Sequence, residues 1–262
     1  MLDFDIDELD RIARPILVLG VTYPDGFSIA PHRHRRGQLI SGATGLVVLT
    51  TPDGTWIMPP QRGMWIPPAT EHHARMVGEV RMQSLYPEPD AVPNMPAHCQ
   101  AVGISPFMRS LMSEAQSMPL AYEEDARARA LMELIRHEMG RLPALPLSLP
   151  YPSREPLASR CRRFMREPNI HDGIDAWADE LGMSRRAFTR LFRRETGLSF
   201  VAWRQQACLI VAMPRLAAGE PVTAVAGDLG YENPAAFTLM FKRAFGTPPL
   251  AYLGLRAPRA SA

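Results

Sequence analysis

At 262 residues with 46% hydrophobic content, the chain can bury the cores of two modest globular domains. Its formal net charge of +2 hides an imbalance: residues 1–150 carry 13 basic and 17 acidic side chains, residues 151–262 carry 16 and 10. Three scattered cysteines imply no disulfide framework, the acidic N-terminus is not a signal peptide, and no apolar run nears the ~18 residues of a membrane span, so a cytoplasmic protein is expected.

From the N-terminus, short apolar runs at 16–21, 46–50, 64–67 and 80–85 alternate with turns such as Pro24-Asp25-Gly26 and Pro52-Asp53-Gly54. That spacing predicts a small all-β barrel or sandwich over residues 1–100. Two stretches within it carry chemistry: Pro31-His32-Arg33-His34 through Gln38, and Gly63-Met64-Trp65 through His72-His73. In a strand, His32 and His34 point to one face. Facing inward with a third histidine, they could hold a divalent metal; the other readings are a polar pocket lining or a hydrogen-bonded structural cluster. Phe27, Trp65 and Tyr86 are aromatic candidates for the same cavity, although each would also serve in an ordinary core.

Residues 101–141 read as a helical connector. Apolar stripes at Phe107, Leu111 and Met112 and at Leu131, Leu134, Ile135 and Met139 suit helices over 104–118 and 122–141. These helices could join two copies of the chain into a homodimer or pack on their own barrel. Prolines 143, 146, 150, 152 and 156 then mark 142–156 as a stiff extended linker and domain boundary.

The most informative pattern follows: one unit is written twice, at 174–194 and 222–243. Ile174, Trp177, Ala178 and Leu181 form an apolar helical stripe, repeated by Val222, Val225, Ala226 and Leu229. Gly182 and Gly230 supply a turn, and Ser184 and Asn233 are N-caps for the helices that follow. In those second helices the outward faces are Arg185, Arg186, Thr189, Arg190 and Arg193 in one copy, and Ala235, Thr238, Leu239, Lys242 and Arg243 in the other. This is the layout of a helix-turn-helix, with one helix bracing and the next entering a major groove of double-stranded DNA. One amphipathic pair with a basic face could be merely solvated; two aligned pairs in the basic half of the chain point to phosphate. The first copy suits polar base readout, the second thymine-methyl and phosphate contacts.

Residues 157–254 resemble the AraC/XylS-type DNA-binding domain. The residues that carry the likeness include Ala178, Leu181-Gly182, Phe188, Leu191-Phe192, Trp203, Leu229-Gly230-Tyr231, Phe237, Phe241-Lys242 and Pro248. The resemblance implies two helix-turn-helix units joined by a long helix, here about 199–218. Pro214 departs from the pattern, as do Cys208, Val211 and Arg215. An interior proline costs roughly 3 kcal/mol and kinks or breaks a helix, so a break near Ala212 is one expectation. The N-terminal motifs are similar to those of a cupin barrel. His32, His34 and His72 match its histidine positions, Gln38 stands where metal-binding members have Glu, and Ala69 where Gly is usual.

The expected fold is α+β and multidomain: a cupin-like β-barrel, helices, then an all-α domain with two helix-turn-helix motifs and a flexible tail at 255–262. The expected function is a sequence-specific DNA-binding transcription regulator, activator or repressor, and not an enzyme. A small-molecule effector would bind His32, His34, Gln38, Trp65 and His72, with a divalent metal on the three histidines as an open alternative. The DNA contacts would come from Ser184 and Asn233 together with the ten outward residues named above. Two other classes stand beside it: a cupin-type metal-dependent dioxygenase or isomerase with an appended helical domain, and a ligand-free DNA binder.

Overall fold

The computed structural model of the chain describes residues 6–123, 125–145 and 147–253. The tail at 255–262 and the first five residues of the acidic N-terminus lie outside the described residues. The chain divides into two compact units. The first runs to Leu147 without the hairpin tip 52–55, which counts with the second.

In the first unit a short helix α1 (Ile6–Arg11) precedes nine strands. They are β1 (Ile16–Tyr23), β2 (Ser28–His32), β3 (Gln38–Gly42), β4 (Leu46–Thr51), β5 (Gly54–Met58), β6 (Arg62–Ile66), β7 (His72–Val77), β8 (Val80–Pro87) and β9 (Gln100–Gly103). One sheet has the order β1-β8-β3-β6-β9, and the other runs β5-β4-β7-β2. The expected barrel is therefore a sandwich of two sheets and not a closed barrel. Closure would need the edge strands of the two sheets to pair with each other. Here β1 ends its sheet with β8 as neighbour, and β2 ends the other with β7.

The period of two along each strand sorts the first sheet into two faces. Ile16, Val18, Leu39, Trp65 and Leu85 form one core with Met108, Leu111, Met112, Leu131, Met132 and Ile135. Those latter residues lie on α2 (Pro106–Gln116) and α3 (Ala126–Met139), the helices expected in the connector. Ser105 and Asp125 cap them by accepting from Met108 N and Ala128 N. The alternate residues of β1, β3 and β8 look the other way, toward the second sheet.

Within the proline-rich stretch 142–156 the units divide after Leu147. Its main chain is bonded: Leu145 N–H donates to Ala101 O at 2.8 Å, and Tyr151 N–H to Asp53 O at 2.9 Å. Leu147 and Leu149 are buried, and β10 (Ser148–Pro150) lies in the stretch.

The second unit is helical beyond β10: α4 (Leu157–Arg166), α5 (Ile174–Glu180), α6 (Arg185–Thr196), α7 (Phe200–Ala217), α8 (Val222–Asp228), α9 (Pro234–Phe245) and α10 (Pro249–Tyr252). The joining helix α7 does not break near Ala212; it runs through Pro214 to Ala217. A proline there removes the bond to the Ile210 carbonyl at a cost of about 3 kcal/mol. Leu209, Ile210, Met213 and Leu216 are all buried, and each large apolar side chain gains roughly 1.5–3 kcal/mol by that. Packing thus outweighs the lost bond. Among the described residues no helix is long and apolar enough to cross a membrane.

Candidate functional site

The two sequence copies fold into the same local machine. In the first, Gly182 at φ +64° turns the chain between α5 and α6, and Met183 N–H donates back to Ala178 O at 2.8 Å. In the second, Gly230 at φ +83° turns it between α8 and α9, and Tyr231 N–H donates to Ala226 O at 2.9 Å. Both glycines occupy the left-handed region that a side chain strains. Ser184 caps α6 by accepting from Ala187 N at 3.3 Å, and Asn233 caps α9 by accepting from Ala235 N at 2.8 Å. Pro234 takes the first helical position, where a missing N–H is harmless. Each helix then ends at a left-handed glycine, Gly197 or Gly246.

With Phe188, Phe192, Phe237 and Phe241 fully buried, the opposite faces must look outward. Ser184, Arg185, Arg186, Thr189, Arg190 and Arg193 are exposed on α6. On the second copy Asn233, Ala235, Leu239, Lys242 and Arg243 are exposed and Thr238 is half-buried. The arginines are not equivalent. Arg185 is held by Asp175 at 2.9 Å, and the Thr189 hydroxyl donates to the Arg185 carbonyl at 2.8 Å. Among the described residues no acid pairs with Arg186, Arg190 or Arg193. Arg186 and Arg190, one helical turn apart, therefore present free guanidinium groups on a single stripe. Sequence spacing alone did not separate Arg185 from its neighbours, because Asp175 meets it across the turn.

The first unit holds a cavity of about 300 Å³ between its sheets. Leu19, Val21 and Tyr23 of β1, Ile40 of β3, Leu49 of β4 and Met82 of β8 give it apolar walls. Leu9, at the end of α1, and Phe27 line it as well. Its polar groups are His32, Gln38, His72 and the hydroxyls of Tyr23, Ser28 and Tyr86. The expected histidines do gather: one ring nitrogen from each of His32, His34 and His72 lies within 4.8 Å of the others. They arrive by a different route from the one the H-x-H pattern suggests. β2 ends at His32 and its register slips after Ile29, so His34 belongs to the following turn and not to a strand face. His72 pairs with His32 across β2 and β7, and His73 points outward.

Trp65 is not in the cavity. It pairs with Leu39 across β3 and β6, which puts both on the face toward α2 and α3, and its indole N–H donates to Pro96 O at 2.8 Å. Tyr23, Ile40 and Met82, which line the cavity, were absent from the motif reading. Strand alternation could have found them once Gln38 was placed inward.

The tautomers follow from the partners. Each histidine sets Nδ1 against a carbonyl oxygen: His32 on Ala30 at 2.9 Å, His34 on Arg36 at 2.6 Å and His72 on Thr70 at 2.8 Å. A carbonyl only accepts, so each Nδ1 carries hydrogen; in the neutral rings of His32 and His72 Nε2 keeps a bare lone pair, whereas His34 Nε2 faces the Gln38 side-chain oxygen. Burial pushes His34 below the ordinary histidine value and takes His72 down to about 4. The Gln38 Oε1 lies 3.2 Å from His34 Nε2, while the Gln38 Nε2 donates to the hydroxyls of Ser84 and Tyr86 at 3.1 and 2.9 Å. Burial also raises the Tyr86 phenol, which stays protonated.

This donor set fits a divalent ion. Three neutral imidazoles suffice for zinc, and ligating histidines commonly give their other N–H to a carbonyl. His32, His34 and His72 would hold it through Nε2, with the Gln38 oxygen alongside. Among the described residues no carboxylate lines the cavity to offset its charge.

Comparison with known proteins gives a consistent assignment for both units. Residues 15–144 match the AraC-like ligand binding domain, and residues 177–254 match a helix-turn-helix domain. The HTH-type transcriptional regulator NimR of Escherichia coli is 34% identical over 222 residues, covering 85% of this chain and 81% of that protein. The HTH-type transcriptional regulator RipA of Corynebacterium glutamicum is 28% identical over 120 residues, covering 46% of this chain and 35% of that protein. A crystal structure of ToxT from Vibrio cholerae with bound unsaturated fatty acid covers 94% of this chain and 98% of its own. At 10% identity and a TM-score of 0.39 that likeness carries no argument.

Proposed function

Because this chain belongs to the AraC/XylS family of helix-turn-helix transcription regulators, we propose that α6 and α9 are its DNA-reading helices and that the cavity of the first unit receives its effector. The protein is a DNA-binding regulator with an AraC-type ligand-binding domain. The observation that carries the assignment of reading helices is the repeated backbone of the two copies, with free arginines on the exposed face of the first. In this reading α6 supplies polar base contacts through Arg186 and Arg190. On α9, Ala235 and Leu239 meet thymine methyls, while Lys242 and Arg243 meet phosphates. Recognition helices of this kind sit roughly 34 Å apart on one face of DNA.

Effector and DNA are coupled only if the effector binds the DNA-competent and incompetent states with different affinity. Two copies of the chain would assemble through α2 and α3, on which Phe107 and Leu134 are exposed. DNA as partner places the protein in the cytoplasm.

Footprinting on the promoter regions flanking its own gene tests the assignment. Protection of two successive major grooves on one DNA face is expected, with the half belonging to α6 lost in Arg190→Ala. Wild-type protection of both halves by that variant would overturn the assignment of α6.

A further inference from the structure

The cavity of the first unit restricts the chemistry of what can fill it. Among the described residues no Asp, Glu, Lys or Arg lines it, so a formal charge on a ligand would meet no counter-charge from them. Its volume of about 300 Å³ equals that of on the order of ten water molecules, which fits a small molecule of one or two rings. Most of the wall is aliphatic. Near its rim Tyr23 and Phe27 lie with ring centroids 5.0 Å apart, a surface suited to a flat body.

Besides the hydroxyls of Tyr23, Ser28 and Tyr86, the polar part of the lining is the Gln38 amide and a pair of imidazoles. The rings of His32 and His72 are 4.3 Å apart, and the Nδ1 of each is committed to a carbonyl. Two neighbouring Nε2 lone pairs therefore remain, to which no group among the described residues donates a hydrogen bond. The third histidine, His34, has the Gln38 oxygen at its Nε2 and does not line the cavity. An occupant that brings an N–H or O–H satisfies His32 and His72. One that brings only oxygen lone pairs sets acceptor against acceptor at these two rings, of which His72 is buried.

On the reading of this cavity as the effector site, we propose that its ligand is a small uncharged molecule with a flat apolar body and an N–H or O–H head group donated to Nε2 of His32 and His72. Carboxylates of the same shape and ethers lacking the donor are excluded by the same two features.

Titration calorimetry of the full chain, dialysed against a chelator, with three probes that share one body tests this: 2-naphthol, 2-methoxynaphthalene and 2-naphthoate. The naphthol should bind, and the ether and carboxylate should bind at least about tenfold more weakly. In His72→Phe, with folding checked by circular dichroism, the naphthol should fall to the level of the ether. If that variant does not fold, His32→Phe, at a less buried position, should show the same loss. Naphthoate binding tightest would overturn the ligand class and leave the sensor reading standing. Naphthol binding only after added zinc would assign the lone pairs to a metal and overturn direct donation. Binding of none of the three would overturn the proposal and the reading of the cavity as an effector site together.

Discussion

The two helix-turn-helix copies share a skeleton and differ in everything attached to it. In the first, Trp177 of α5 lies at the centre of a ring cluster formed by Phe164, Phe188, Phe192, Phe200 and Trp203. Arg160 stacks over the Trp177 ring at 4.0 Å and reaches Asp172 and Glu180, each at 2.9 Å. In the second, the brace α8 is aliphatic, and the rings form a chain from Tyr231 through Phe237, Phe241 and Phe245 to Tyr252. Its ion network is displaced to the end of α7, where Arg215 holds Glu220 at 2.6 Å and Asp228 at 2.5 Å. The bonds that repeat are those that fix backbone direction: turn glycine, back-bond and cap. Those that vary set the packing of the core and the groups on the exposed face. A duplicated motif can thus keep its backbone while its halves present different side chains.

The comparison can be broken most forcefully at the cores. Trp177→Ala should destabilise the second unit by about 3–5 kcal/mol, at the upper end for an aromatic truncation, and Phe237→Ala should lie at the lower end. Urea unfolding followed by circular dichroism orders them, and a costlier Phe237→Ala would reverse the view that the first copy is the better braced.

At the DNA surface, Arg186→Ala and Arg190→Ala should each weaken operator binding by about 1–3 kcal/mol, or 5- to 150-fold. Arg185→Ala, whose guanidinium is shared with Asp175, should do less. If the arginine reads a base, one operator position loses its preference; if it holds phosphate, the salt slope falls by about one. Gel shifts across a salt series distinguish the two, and unchanged affinity and slope in both variants would remove α6 from the interface.

The turns give a finer test. A Cβ at Gly182 meets nothing within 4 Å, whereas at Gly230 it comes to 2.5 Å from Asn169 Oδ1. Gly182→Ala should therefore cost only the left-handed strain, about 1–2 kcal/mol. Gly230→Ala should cost more, because Asn169 must also release the bond it accepts from His171 N. Equal losses in thermal melts would mean that Asn169 gives way freely. Caps come next: Ser184→Ala and Asn233→Ala should each lose about 1 kcal/mol.

The smallest effect is the response to acid. Arg163 and Arg160 hold the Glu180 carboxyl below its usual value, and Arg215 does the same for Glu220. A depressed folded value stabilises above the unfolded carboxyl pKa of about 4.3, and that contribution fades as pH falls through the folded values. Melts at about pH 6 and about pH 3.5 should differ less in Arg215→Leu than in the wild type. An unaltered difference would show that this network adds nothing measurable.

Much of the second unit was legible because its signals are local. Helical stripes, turn glycines and caps act within a few residues, so Gly182, Ser184, Gly230 and Asn233 could be placed from spacing alone. The inward set of His32, Gln38 and His72 was legible from two short motifs. Trp65 was misplaced because a strand's inward face depends on its partner's register, which a single sequence does not print. His34 reaches the cluster from a turn and not a strand, and no period-of-two argument covers that.

By itself, then, the sequence determined two helix-turn-helix units, the basic and apolar faces of their second helices, and a histidine-bearing β domain, since each rests on neighbours along the chain. Only the tertiary structure decided that the β domain is an open sandwich, that α7 survives Pro214, that Asp175 restrains Arg185, and that no charged side chain among the described residues lines the cavity. Each of those depends on how separate elements pack against one another.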